Sequence, residues 1–208
     1  MKRVFLSADD FGRSKQRNKA IDKSFKNGLI KSAGLIVTGQ HLQDAVNQME
    51  EGGYVHNIHC HFNLSGNIKN EDSEDVPLTN KIKQDLFFCS NGRFRSYSGL
   101  PNNPSSIFKV VMVYKELVAQ YNKFLDVTKG KGNRTHVDFH LWYNLTWPVS
   151  IALNLFTLTH MIKSVRYIGV HQEKTRRRFF RILSWNPFVK SYRSSNIDGF
   201  FTHTEWFE

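Results

Sequence analysis

Through the first sixty residues, short apolar runs alternate with stretches whose apolar positions recur at helical spacing. Val4-Phe5-Leu6 is a buried-strand candidate that runs straight into Ser7-Ala8-Asp9-Asp10. Residues 14–27 read as a helix, with Ser14 suited to cap its start and Gly28 to end it. A strand is expected over 33–37, a shorter helix over 41–50 closed by Gly52-Gly53, and a third strand over 54–59. Strand and helix in alternation predict an α/β fold with parallel strands.

Beyond residue 60 the pattern loosens and then returns. Residues 65–77 are polar and acidic, and 90–106 are rich in Gly, Asn, Ser and Pro. Both are expected to be long loops, of the kind that line a site. Between 107 and 125, apolar residues recur at Ile107, Val110, Val111, Tyr114, Leu117, Val118, Tyr121 and Leu125, the clearest amphipathic helix in the chain. Lys129-Gly130-Lys131-Gly132 ends it. Strands are expected over 135–139, 165–170 and 199–202, and a helix over 148–162 whose Pro148 suits a first turn. No repeat or linker interrupts the chain, and 208 residues suit a single domain, 1–208.

Three segments carry candidate chemistry. Asp9-Asp10 follows the first strand, where ligands bind in parallel α/β folds. Neighbouring side chains diverge, so one carboxylate can bind a metal while the other acts as a base. An acidic pair at a turn or helix start is the plainer alternative. His59-Cys60-His61 follows the third strand. Strand parity puts both histidines on one face and turns Cys60, a small core residue, to the other. His136, Asp138 and His140 share a face of the next strand by the same parity, and a carboxylate beside a histidine can orient its ring. Each signal alone also fits a polar strand end. Together they place acids and histidines at the carboxyl ends of three strands, and one aspartate with two histidines is a common catalytic metal set.

Composition narrows the setting. The formal net charge of +11 favours acidic partners, such as nucleic acid, anionic lipid or a phosphorylated substrate. No apolar run is long enough to span a bilayer. The stretch after Met1-Lys2-Arg3 is too short for the apolar region of a signal peptide, so a cytoplasmic protein is expected. The two cysteines, Cys60 and Cys89, fit a reducing compartment. Three glycosylation sequons, starting at Asn63, Asn133 and Asn144, carry no weight in that setting.

Ala8-Asp9-Asp10-Phe11-Gly12, then Asn18, Ile21 and Gly28 in the first helix, resemble the opening of the YdjC-like carbohydrate deacetylases. His61-Phe62-Asn63-Leu64-Ser65, Thr135-His136-Val137-Asp138-Phe139-His140 and Val165-Arg166 resemble that family's later motifs, in the same order, over roughly residues 3–170. The resemblance implies a distorted TIM-like (β/α) barrel and removal of an N-acetyl group from an amino sugar or oligosaccharide. It implies Asp10, His61 and His140 as ligands of one divalent ion and Asp9 as catalytic base. His59, His136, Asp138 and Arg166 are then second-layer or substrate residues. The donor set suits Zn better than Mg, with Mn a further option, and relatives imply a homodimer. The sequence departs from the family where Trp142 and Asn144 replace further histidines, and where no His-Pro-Gly segment precedes Glu208. His203 stands in different surroundings. The general acid is therefore open, and the barrel is expected to lack its last elements. The alternative is a weak or inactive relative that binds glycan or an anionic membrane surface.

Residues 163–193 mix Lys163, Arg166, Lys174, Arg176, Arg177, Arg178, Arg181, Lys190 and Arg193 with Phe179, Phe180, Ile182, Leu183, Trp185 and Phe188. This pattern suits an anionic membrane surface, or a nucleotide- or lipid-linked sugar, as well as a solvated loop. A peripheral membrane contact is one expectation from it. No nucleic-acid-binding motif is present, so a specific nucleic-acid partner is not expected.

Overall fold

The computed structural model describes residues 6–66, 75–96, 108–140, 147–168 and 190–194. The strand expected over 199–202, Trp142, Asn144, His203 and residues 169–189 of the basic segment lie outside these. The elements run β1 (Ser7–Phe11), α1 (Lys15–Lys26), β2 (Ser32–Leu35), α2 (Leu42–Glu51), β3 (Ile58–Phe62), α3 (Asn80–Lys83), β4 (Cys89–Ser90), β5 (Arg93–Phe94), α4 (Phe108–Val127), β6 (Asn133–Phe139), α5 (Trp147–Thr159), β7 (Ser164–Ile168) and β8 (Lys190–Ser194). Six strands form one parallel sheet in the order β1-β2-β3-β6-β7-β8. The class is α/β, as the alternation predicts. Among the described residues β1 and β8 are the sheet's two edges, and closure into a barrel is not shown.

The two faces of the sheet differ in chemistry, and β3 shows why. Its sequence Ile-His-Cys-His-Phe alternates, yet all five residues are buried. Phe62 turns to one face, where its ring lies 5.2 Å from Phe139 of β6 and 5.2 Å from Phe156 of α5. Tyr121 of α4 meets the same Phe156 ring at 5.2 Å. Phe62, Phe139, Tyr121 and Phe156 thus form an apolar layer under α4 and α5. His59 and His61 turn the other way, into a polar interior. Strands buried on both faces are ordinarily apolar throughout, so buried histidines at every second position mark that face as a site.

Several elements are shifted from their sequence-based bounds, each for a local reason. Asp9 and Asp10 lie within β1 and not after it, while Val4 and Phe5 of the expected strand lie outside the described residues; Ser7 and Ala8 pair with Ser32 and Ala33 of β2. The third strand begins at Ile58, after a single 3-10 turn over Val55–Asn57, so His61 lies inside it. The Tyr54 ring stacks on Phe25 with centroids 4.1 Å apart and anchors the chain just before that turn. Within the expected 90–106 loop lies part of a hairpin, β4 to β5. Its turn is Asn91 (φ 51) and Gly92 (φ 75), the left-handed pair that a two-residue hairpin needs. Lys190 and Arg193, read as part of a basic tail, belong to strand β8, paired in parallel with β7. No helix among the described residues is long and apolar enough to cross a membrane.

A buried polar network ties the long excursion after β3 back to the sheet. Gln120 of α4 clamps the backbone of Asn63 at both ends, accepting from its N–H at 3.0 Å and donating to its carbonyl at 2.7 Å. Glu116, one turn earlier and fully buried, accepts from the N–H groups of Leu78 (2.9 Å) and Thr79 (2.8 Å) and from the Thr79 hydroxyl (2.7 Å). Replacing it with alanine strands two backbone donors. Glu116→Ala is expected to cost about 2–3 kcal/mol of stability, and Glu116→Gln less. Urea unfolding checks this, and a loss below about 0.5 kcal/mol would show that water replaces the carboxylate at no cost.

Candidate metal centre

Asp10 reaches the polar interior through an irregularity in β1. Between Ala8 and Phe11 the pairing with β2 slips, two residues of β1 lying opposite one of β2. This bulge holds Asp9 and Asp10, and Asp10 adopts a left-handed backbone (φ 65). Such a conformation costs a non-glycine residue about 1–2 kcal/mol, least for Asp and Asn. Bulges re-aim side chains beside active sites. The turn that follows is pinned from outside. Gly12 (φ 94) donates to the Asn18 side chain at 2.7 Å, and a Cβ there would sit 2.8 Å from the Ile36 carbonyl. Buried Asn18 also donates to the His41 carbonyl and to Asp44. Gly12 and Asn18 thus hold the Asp10 turn against the start of α2.

Asp10, His61 and His140 converge, each buried, with one donor atom apiece within 4.8 Å of the others. Asp10 Oδ1 lies 2.6 Å from His140 Nδ1 and 3.3 Å from His61 Nε2. Behind them Asp138, directly opposite His61 in the register of β3 and β6, accepts from His61 Nδ1 at 2.5 Å and from His59 Nε2 at 2.9 Å. His61 Nδ1 is therefore spent on Asp138, and Nε2 faces Asp10 Oδ1 in an ion-pair contact without hydrogen-bond geometry. That nitrogen is buried and has no hydrogen-bond partner. A buried imidazole nitrogen of this kind is costly, whether it carries a proton or a lone pair, unless a partner meets it. A metal ion fits the need, and a carboxylate that fixes the far nitrogen is the usual companion of a metal-binding histidine.

The electrostatics agree with a site built for positive charge. Burial pulls the His61 pKa down, but the Asp138 carboxylate, the contact with Asp10 and the charge of Asp9 push it up more strongly, to about 10. Burial pushes the Asp10 carboxyl up, yet His140, His61 and Arg17 more than offset it and hold it well below its usual range. Two arginines close the group. Arg17 forms an ion pair with Asp10 Oδ2, and Arg13 Nη1 lies 3.7 Å from the same oxygen and 2.6 Å from His140 Nε2.

Two other groups have metal-like spacing, His59 with His136 and Asp138, and Asp9 with His61 and Asp138. Both need Asp138, whose two oxygens already serve His59 and His61. His136 turns its Nδ1 to the Ser164 hydroxyl at 2.8 Å, and its ring meets His59 edge-on at 4.6 Å. Asp9 lies beside the His61–Asp138 pair. Arg166 is a residue of β7, but its side chain is outside the described residues.

Four residues escaped the sequence reading. Arg13 and Arg17 follow the Asp-Asp turn, and only their proximity to Asp10 in space marks them. Asp75, buried near the end of the acidic stretch 65–77, accepts from Asn63 Nδ2 at 2.9 Å. Burial raises its pKa, against the lowering influence of Arg13 and His140. Gly34 of β2 lies under His61. A Cβ there would stand 2.9–3.0 Å from His61 Cβ, Cγ and Nδ1. Gly34→Ala is expected to displace the ring and weaken metal binding about tenfold. A chelator titration checks this, and wild-type affinity would mean that the ring gives way harmlessly.

A family model described as "YdjC-like protein" matches residues 3–207. No curated protein matches the chain. Among solved structures, the fold is similar to that of a protein of Enterococcus faecalis V583 named "putative cellobiose-phosphate cleavage protein", with a TM-score of 0.68 at 16% identity. The match covers 90% of this chain and 65% of that one, so this chain spans about two thirds of its neighbour's length. At that identity the likeness is one of fold.

Proposed function

The chain belongs to the YdjC-like protein family, and from that premise we propose that it is a metal-dependent hydrolase that removes an N-acetyl group from an amino sugar or oligosaccharide. The observation that carries this reading is the Asp10–His61–His140 cluster, in which the buried His61 Nε2 has no hydrogen-bond partner. The strands follow one another in the sheet without reversal, which is the order of a (β/α) barrel and not of a doubly wound sheet. We read the six strands as an arc of a distorted barrel whose carboxyl-end rim carries the site.

A divalent ion held by Asp10, His61 and His140, with Zn the best match to two imidazoles, would supply Lewis acidity and lower the pKa of a water at neutral pH. The residues divide the remaining work. Asp9 accepts the proton of the attacking water. Asp138 keeps His61 in the tautomer whose Nε2 faces the site. Arg13 and Arg17 place fixed positive charge beside the triad, where negative charge develops on the amide oxygen and where an anionic group on the sugar, such as phosphate, would be held. The name of the structural neighbour, which includes a phosphorylated disaccharide, is in keeping with that second use.

The test is release of acetate from N-acetylated amino sugars and chito-oligosaccharides, free and phosphorylated, by protein loaded with Zn and by protein treated with chelator. Stoichiometric acetate and free amine, lost with the metal, are expected. Metal and sugar binding without acetate would instead favour the relative that binds glycan without turnover. Release of sugar or phosphate without acetate would oppose the deacetylase reading outright.

A further inference from the structure

Helix α5 is built the wrong way round for a helix that faces water. Its sequence, Trp-Pro-Val-Ser-Ile-Ala-Leu-Asn-Leu-Phe-Thr-Leu-Thr, holds no charged residue. Its polar residues Ser150, Asn154 and Thr157 are buried, Asn154 donating to the Ser150 carbonyl at 3.0 Å and Thr157 to the Asn154 carbonyl at 2.8 Å. Leu155 and Leu158 are instead 45% and 49% exposed. An amphipathic surface helix shows the reverse. The apolar surface continues onto α4. The Tyr114 and Thr159 hydroxyls meet at 3.1 Å at the exposed seam between the two helices, and Val111, one turn before Tyr114, is 56% exposed.

The end of α5 adds a fourth apolar side chain. Met161 has φ 51 and is 81% exposed, and the Ile162 N–H closes the helix on the Thr157 carbonyl at 3.0 Å. Glycine takes the same left-handed place at the ends of α1 (Gly28, φ 69) and α2 (Gly53, φ 68), where a side chain would be strained. At the end of α5 the chain accepts that strain with a long apolar side chain that stays in the open.

Charge decides what such a face meets. Across residues 108–117 the single acid is Glu116, which is buried, and α5 has none. Lys115 and Lys163 are exposed at the border of the apolar surface, and the whole chain carries a formal charge of +11. A symmetric pair of copies joined through this face would bring two strongly positive chains together, lysines against lysines. A bilayer that contains anionic lipid meets both needs at once, with apolar tails for the side chains and negative headgroups for the lysines. At 13 residues α5 is too short to cross a bilayer, so it would lie in the interface.

We propose that the outer face of α4 and α5, with Val111, Leu155, Leu158 and Met161 inserted and Lys115 and Lys163 at its border, docks the protein on an anionic membrane surface. His59 and His61 turn to the opposite face of the sheet, so docking leaves the polar interior clear of the bilayer. This surface is separate from the metal reading and does not depend on it.

The experiment is flotation of the full chain with vesicles of phosphatidylcholine, alone or mixed with phosphatidylglycerol, at low and high salt. Wild type is expected to float with the mixed vesicles at low salt and not with the neutral ones, and to come off as salt rises. The pair Leu155→Ser with Leu158→Ser is expected to bind the mixed vesicles about tenfold more weakly. Lys115→Gln with Lys163→Gln is expected to lose about tenfold as well. Met161→Gly discriminates best, because it removes an inserted side chain while relieving the backbone. Binding about fivefold weaker, with a urea midpoint at or above that of wild type, is expected. Wild-type protein that stays off the mixed vesicles at low salt would overturn the proposal. Undiminished binding by Met161→Gly and by the leucine pair would overturn it too, and move the contact to another part of the chain. A dimer in solution that the leucine pair disperses, with no vesicle binding, would give the face to a second copy and likewise overturn it. If the leucine pair does not fold, Met161→Gly alone decides.

Discussion

Replacing Asp9 with asparagine is expected to lower kcat for deacetylation by about 10²- to 10⁴-fold while bound metal stays at the wild-type level. Asp9 and Asp10 share one bulge but differ in surroundings. Asp10 is buried against His140, His61 and Arg17, where its oxygens meet metal-type donors. Asp9 is less buried and lies beside the His61–Asp138 pair. Its charge contributes to the upward pull on His61 but does not complete the triad. Asparagine has the same shape and tolerates the same backbone, so the bulge and the proposed metal ligands should survive while the proposed proton acceptor is lost. Metal analysis and turnover on the same preparation separate the outcomes. Loss of metal would make Asp9 a ligand. Unchanged kcat would assign the base elsewhere.

The second large effect concerns Asp138, which is not one of the three proposed ligands but hydrogen-bonds one of them, His61. Asp138 accepts from both His59 and His61, one on each oxygen. Asparagine offers one oxygen and one amide group. If the amide turns to His61, Nδ1 must become the acceptor, Nε2 then carries the proton, and no lone pair remains for a metal. If it turns to His59 instead, His61 keeps its tautomer but loses the nearby negative charge. Asp138→Asn is therefore expected to weaken metal binding by about 10- to 100-fold, the usual range for such partners. Equilibrium dialysis against buffered Zn measures it. Affinity within a factor of two of wild type would mean that Asp138 shapes the core and not the metal site.

The period-two placement of His59 and His61, and of His136, Asp138 and His140, was legible in the sequence because strand parity depends only on spacing. The structure brings these residues to one face as that parity requires. Strand limits were harder to read. A run of Ser-Ala-Asp-Asp looks like the end of a strand, yet its backbone pairs with β2, and the bulge that aims Asp10 leaves no mark in composition. The Asn91-Gly92 turn is a hairpin signal that was buried in a stretch rich in loop residues. Gly34 gains its meaning from the approach of β2 to β3, Arg13 from His140 at the end of β6, and Asp75 from Asn63 twelve residues earlier. Such contacts are tertiary, and no local pattern encodes them.

The central claim is a metal held by Asp10, His61 and His140. Its most direct test is metal content after purification and dialysis, for wild type beside His61→Ala and His140→Ala. About one equivalent of Zn or a similar ion in wild type, lost in both variants while they remain folded, is the result the account predicts. An absence of bound metal in wild type after exposure to Zn and Mn, or metal retained in both variants, would contradict it.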